Sequence, residues 1–257
     1  MIKAAFFDVD GTLFSHETKR VPESTRQALQ QLRKKGIACI MATGRQMSEL
    51  AKLPMGDLSF DGYLTLNGQI LMDQDRNVIF SKPIAGPAKE FLLEQFRQKV
   101  YPALLVEERR AYLNCVTDHV RDAQETISSP IPPLGDYSGE EIYQVCAYLR
   151  PHEEHFLDPI ADNCVITRWH FGGMDVIAKG GGKVAGIRDY LQAYGLKQEE
   201  IIAFGDGEND IEMLRFAGIG VAMGNAVEGA KKAADYVTAD IDEDGIAKAL
   251  EHFGLIK

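Results

Sequence analysis

Two aspartates, Asp8 and Asp10, close the apolar run AAFF and are followed directly by Gly11 and Thr12. A second acidic pair, Asp206 and Asp210, follows another apolar run over 201–204, with Asn209 between them. Buried parallel strands read as continuous apolar runs, and ligands in open α/β sheets bind at the carboxyl ends of such strands. If the two runs are neighbouring strands, one crevice gathers Asp8, Asp10, Asp206 and Asp210. Like charges within about 4–6 Å disfavour one another's ionisation, so such a group either holds protons or is offset by a hard cation with oxygen ligands. Mg2+ is the cofactor this implies. It takes one or two carboxylates together with waters and a substrate phosphate, which points to phosphoryl chemistry rather than to a closed structural metal site.

The expected phosphate partners lie on other elements. Thr43, beside Gly44, ends a further apolar run and offers a hydroxyl donor, while Lys183 opens a helix and offers an ammonium group beside helix-terminal amides. A carboxylate nucleophile such as Asp8 is ionised near neutral pH and needs no base to activate it, unlike serine or threonine. That suits a chain in which no catalytic histidine is conspicuous.

The elements that must position these residues follow a rhythm. Residues 22–35 place Ala28, Leu29 and Leu32 on one face among polar residues, with Gly36 as a stop, which predicts an amphipathic helix. Apolar runs at 37–42 and 62–66 end at Thr43-Gly44-Arg45 and Asn67-Gly68. Strand and helix alternate, which argues for an α/β, doubly wound parallel sheet. Between about 82 and 178 the pattern changes. A helix is predicted at 88–99, short paired strands at 103–107, 111–116, 142–149, 165–169 and 174–178, and a Pro-rich loop at 128–139. The first rhythm then resumes with a helix over Lys183–Tyr194, the run 201–204, a second helix and the run 218–223. The expected organisation is a discontinuous core, residues 1–82 and 179–257, with an inserted smaller α+β cap at 83–178.

Composition bounds the function classes. With 28 Lys and Arg against 38 Asp and Glu, the formal charge of −10 opposes binding to a nucleic-acid backbone. Cys39, Cys115, Cys146 and Cys164 are widely spaced and read as reduced core thiols, not as a zinc or redox pair. No run approaches the roughly 20 apolar residues that span a bilayer, and the first residues read into a strand rather than a signal peptide. A cytoplasmic location, with neither membrane nor nucleic acid as partner, is expected.

FFDVDGTL, MATGR, Lys183 and GDGENDIEML resemble, in order, the four motifs of the haloacid dehalogenase-like phosphatases. NGQI at 67–70, the large insertion and the GNA turn at 224–226 are similar to the Cof-type branch, subfamily IIB. The resemblance implies a Rossmann-like core and a phosphatase acting on a small phosphorylated metabolite, with the cap closing over the crevice. It implies that Asp8 attacks phosphorus and becomes an aspartyl phosphate, and that Asp10 protonates the leaving alcohol and later activates water. Thr43, Gly44, Lys183 and Asn209 would bind phosphate. Mg2+ would be held by Asp8, the backbone carbonyl of Asp10 and Asp206, with Asp210 in support. Arg45 matches the pattern without a firm role and is set with the substrate-specificity candidates. The segment IAKGGGKVAGI departs from many relatives, which have a Val-Ser pair where this chain has glycines. It leaves a choice between Lys179 and Lys183, and Lys183 is preferred because it opens the helix and keeps the family's spacing.

Blander readings stand beside these. Thr43 and Asn209 are also ordinary helix-capping residues, and Asp210 is also an ordinary buried acceptor. Gly180, Gly182 and Ala185 satisfy a Gly-x-Gly-x-x-Ala dinucleotide fingerprint, but the following acid comes too late and Asp8 to Thr12 would go unexplained. In the cap, Arg168, Trp169, His170 and Phe171 form a candidate substrate-facing loop, with Arg168 and His170 as specificity candidates, although Trp169 is equally a core residue. Residues 107–110 read as a solvated hairpin turn. The same superfamily implies two alternatives, a phosphomutase or phosphotransferase and a noncatalytic regulator that binds a phosphorylated metabolite.

Overall fold

The computed structural model describes residues 1–55, 58–126 and 129–257, and the chain divides into two compact units, Met1–Ser81 with Lys183–Lys257, and Lys82–Gly182. Lys82 and residues 179–182 fall in the second unit.

Along the chain, the first unit begins with β1 (Ala4–Phe7), α1 (Glu23–Lys34), β2 (Ala38–Ala42), α2 (Met47–Leu50), β3 (Gly62–Thr65), β4 (Ile70–Asp73) and β5 (Val78–Ser81). The second unit contains α3 (Gly86–Gln98), β6 (Ala103–Val106), β7 (Ala111–Leu113), α4 (Asp118–Thr126), β8 (Gln144–Ala147), β9 (Cys164–His170) and β10 (Gly173–Ala178). The first unit then resumes with α5 (Lys183–Tyr194), β11 (Ile201–Gly205), α6 (Ile211–Phe216), β12 (Ile219–Ala222), α7 (Glu228–Ala233), β13 (Tyr236–Val237) and α8 (Gly245–His252).

The first unit is an eight-stranded sheet in the order β13-β12-β11-β1-β2-β3-β4-β5. Its strands run parallel from β13 to β3, and the hairpin of β4 and β5 adds two antiparallel strands at one edge. The sequence pattern does not mark this hairpin as strands, because the apolar stretches of β4 and β5, ILM and VIF, are only three residues long, short of the four to eight that identify a buried strand. Every residue of β1 is buried, since a central strand is covered on both faces. Phe6 meets Tyr190 of α5 edge-on at 5.3 Å, and Phe7, pointing the other way, stacks on Phe204 at 5.0 Å. α1 buries the stripe Thr25, Ala28, Leu29 and Leu32 and ends at Gly36, whose φ of +75° is a left-handed conformation that glycine adopts without strain.

The second unit is a five-stranded antiparallel sheet in the order β7-β6-β8-β10-β9. α3 packs Ala88, Leu92, Leu93 and Phe96 with Leu105, Val145, Ala147 and Val176. Val120 and Ala123 of α4, a helix the sequence reading missed, pack in a second cluster with Leu113, Cys146 and Tyr148. In the hairpin turn at 107–110, Arg109 and Arg110 are exposed as expected, whereas Glu107 departs from the solvated reading: it is buried and accepts from the Tyr112 hydroxyl and the Ser138 Oγ, both at 2.5 Å. The two-residue period explains it, because Glu107 continues the inward face of Ala103 and Leu105. Ser128, first residue of the expected Pro-rich loop, lies outside the described residues. All four cysteines are free, and burial pushes the Cys39 thiol up to about 12. Among the described residues no helix is long and apolar enough to cross a membrane.

Candidate active site

β1 and β11 are hydrogen-bonded neighbours in register Phe7↔Phe204, and the Asp8 N–H extends the ladder by donating to the Phe204 carbonyl at 3.0 Å. The two acidic strand ends therefore lie side by side. Close approach is secured by glycine. Gly11 has φ +82°, and a Cβ there would collide with the Asp206 carboxylate; a Cβ on Gly205 would strike the Asp210 side chain. Opposite them, the Thr12 hydroxyl donates to Asp206 Oδ1 at 2.7 Å.

Asp8, Asp206 and Asp210 can each place one oxygen within 4.8 Å of the others. Lys183, at the first turn of α5, is buried and donates from Nζ to Asp8 Oδ1 at 2.5 Å and to Asp210 Oδ1 at 2.6 Å. The other oxygen of Asp210 accepts from the backbone N–H groups of Asp206 and Gly207 at 3.0 and 2.9 Å. One carboxylate thus ties the α5 ammonium to the loop after β11. Lys179, the other lysine of the segment, donates instead to the Asp162 carbonyl within the second unit. The intervening glycines serve the backbone: Gly180 and Gly182 have φ of +67° and +105°.

Burial raises the Asp8 carboxyl well above the usual range, and Asp210 and Asp206 add to this while Lys183 opposes it. Burial also drives Asp206 up to about 7, against the Thr12 hydrogen bond and with the help of Asp210. Lys183 runs counter to its own burial, because Asp210 and Asp8 raise its pKa and keep it an ammonium ion. Three carboxylates against one ammonium leave two formal negative charges. A donor set made only of carboxylate oxygens with that surplus suits a hard divalent cation.

The Asp10 side chain lies outside this trio. Arg45 donates to it in a fork, Nε to Oδ2 at 2.6 Å and Nη2 to Oδ1 at 2.7 Å, and His16 Nε2 lies 2.8 Å from Oδ1. Burial works to raise the Asp10 pKa, but the hydrogen bonds and charge of Arg45, with His16 adding to them, hold it below the usual value. Arg45, read from sequence as a specificity candidate, is thus engaged with Asp10. The buried Thr43 caps no helix; its Oγ1 accepts the Arg45 N–H at 3.1 Å, which leaves the hydroxyl hydrogen free to donate. Gly44 faces the amide of Asn67, whose Oδ1 also accepts from Asn209 Nδ2 at 3.0 Å. The Asn225 side chain of the GNA turn braces the loop at Gly11, donating to its carbonyl at 2.8 Å and accepting from the Ile241 N–H at 3.1 Å.

A family model described as haloacid dehalogenase-like hydrolase matches residues 5–250. The chain belongs to this family. This haloacid dehalogenase-like hydrolase is 34% identical over 259 residues to YkrA of Bacillus subtilis (strain 168), covering 99% of each chain. It superposes on the phosphatase BT1666 from Bacteroides thetaiotaomicron with a TM-score of 0.90 and 36% identity, over 100% of this chain and 96% of that one. On the subclass IIB sugar phosphatase BT4131 the TM-score is 0.83 with 39% identity, over 99% and 100% of the two chains.

Within the hydrolase's second unit, the two remaining specificity candidates are held by their own surroundings. Arg168 Nη1 donates to the carbonyls of Leu149, His170 and Phe171 at 2.8–2.9 Å, and its Nε to Glu154 at 2.9 Å. His170 Nδ1 accepts the Gly172 N–H at 3.1 Å. Three residues of the hydrolase's first unit escaped the sequence reading. Asn67 lay in the noted NGQI string, and its left-handed φ of +55° is a conformation asparagine tolerates. Thr12 was seen only as part of a motif, and His16 carried no pattern.

Proposed function

We propose that this chain is a Mg2+-dependent phosphatase that hydrolyses small phosphomonoesters, sugar phosphates among them, through an aspartyl phosphate on Asp8. The observation that carries the reading is the buried Asp8 carboxylate held by Lys183 beside Asp206 and Asp210. The sugar phosphatase named among the similar structures supports the substrate class.

In the first step an Asp8 oxygen bonds to phosphorus, the bond from phosphorus to the leaving oxygen breaks, and Asp10 gives that oxygen its proton. In the second, water loses a proton to Asp10 and bonds to phosphorus, and the Asp8–phosphorus bond breaks. Proton transfer of this kind contributes about 10²- to 10⁴-fold. Lys183, Thr43, Gly44 and Asn209 are assigned to the phosphoryl oxygens. Asp8, Asp206 and the Asp10 carbonyl would hold Mg2+, with Asp210 in support, and the ion supplies charge neutralisation on the transferring group. Residues 83–178 are assigned discrimination among alcohols, and the free thiols suit a cytoplasmic location.

The purified protein is expected to release inorganic phosphate from phosphorylated metabolites, to stop on chelation and to recover with Mg2+. Metal-independent turnover would contradict the carboxylate-cluster argument, and an isomeric phosphate without free phosphate would identify a mutase. Stability adds a second expectation. The Asp206 pKa rises from 3.8 to about 7 on folding, so the metal-free protein is favoured below pH 3.8 and that favour is lost as pH rises through about 7. Mg2+ should therefore raise Tm more at pH 8 than at pH 5 in thermal melts, and the reverse ranking would contradict the assigned ligands.

A further inference from the structure

We infer that His16 is a positioning residue for Asp10, holding the carboxyl group at a second point so that it keeps its aim when the Arg45 fork opens; this rests on the phosphatase reading above. The two Asp10 oxygens are unequally bound. Oδ1 faces both Arg45 Nη2 and His16 Nε2, whereas Oδ2 faces Arg45 Nε. An acid that delivers a proton must carry it on an oxygen, and a protonated oxygen cannot also accept from Arg45 in the same direction. Oδ2 is the oxygen to carry it, because that displaces one donor instead of two. When Nε gives way the bidentate grip is lost, and the bond from His16 to Oδ1 remains to fix the carboxyl plane.

The mounting of His16 supports this role. An ionised carboxylate only accepts, so the hydrogen of this pair is on Nε2. The imidazole meets the buried Phe14 ring edge-on at 5.4 Å. Its turn is closed by the Ser15–Arg20 bridge and tied down by Ser15 Oγ and Thr18 Oγ1, which both donate to the Asp242 carboxylate, at 2.7 and 3.0 Å. A half-exposed histidine on an anchored turn reaches the proposed proton carrier without touching the Asp8 trio.

The leaving group supplies the test. An alkyl phosphate needs a proton on its departing oxygen, whereas 4-nitrophenyl phosphate departs as a stable anion, and kcat/KM reports the steps through release of the alcohol. For a hexose phosphate, His16→Leu is expected to lower kcat/KM about 10-fold, a fraction of the acid's full contribution, and His16→Gln to restore most of it by donating from its amide. For 4-nitrophenyl phosphate the fall in His16→Leu should stay within about 2-fold, since little protonation is required. Equal losses on both esters, no loss on either, or failure of His16→Gln to restore activity with the fold intact would overturn the inference. A wild-type protein that cleaves neither ester would instead bring down the phosphatase reading itself.

Discussion

Asp8→Asn is expected to abolish turnover of phosphomonoesters, by at least about 10⁴-fold, while the protein stays folded. The amide cannot form the acyl phosphate. It keeps a carbonyl oxygen that can accept from Lys183 in place of Asp8 Oδ1. It also removes one of three crowded carboxylates, so the metal-free variant should melt at pH 8 no lower than the wild type. Phosphate release and a thermal melt on the same preparation check both parts. Undiminished turnover would sink the nucleophile assignment, and a large drop in Tm would contradict the reading of Asp8 as a group held ionised at a cost.

Lys183→Met should have the largest effect on stability, about 3–5 kcal/mol, together with loss of activity. Its side chain is 1% exposed and gives the Asp8–Asp210 pair its ammonium. Without it three carboxylates confront one another in a site with little water. Asp206 is raised to about 7, so at pH 5 it takes up a proton and the repulsion eases; the deficit measured by urea denaturation should shrink from pH 8 to pH 5. An equal deficit at both pH values would assign the loss to packing of the methylene chain instead of to charge.

What sequence reveals and conceals follows from the range of each interaction. The apolar runs of β1, β2, β3, β11 and β12 and the start of α5 at Lys183 are local signals, and the parallel α/β core was legible from them. The adjacency of β1 and β11 followed only conditionally, and the sheet order supplies it. The β4–β5 hairpin stayed hidden because its apolar stretches, ILM and VIF, are only three residues long. The pairings Thr12–Asp206, Asn67–Asn209 and Arg45–Asp10 join side chains 194, 142 and 35 positions apart, so no spacing rule connects them. His16 is close in sequence to Asp10, yet a lone histidine in a turn has no periodic signature, and only the fold of the loop brings its ring back.

The order of the strands also sets when the site comes into being. Asp8 belongs to the first strand made, while its ammonium partner comes 175 residues later and β11 later still. A ribosome therefore delivers the Asp8 strand long before β11 exists, and in the meantime β1 has only β2 to pair with. The contact of Lys183 with Asp8 and Asp210 therefore waits for long-range closure of the central sheet, a kind of step whose loop-closure entropy makes it slower than local pairing.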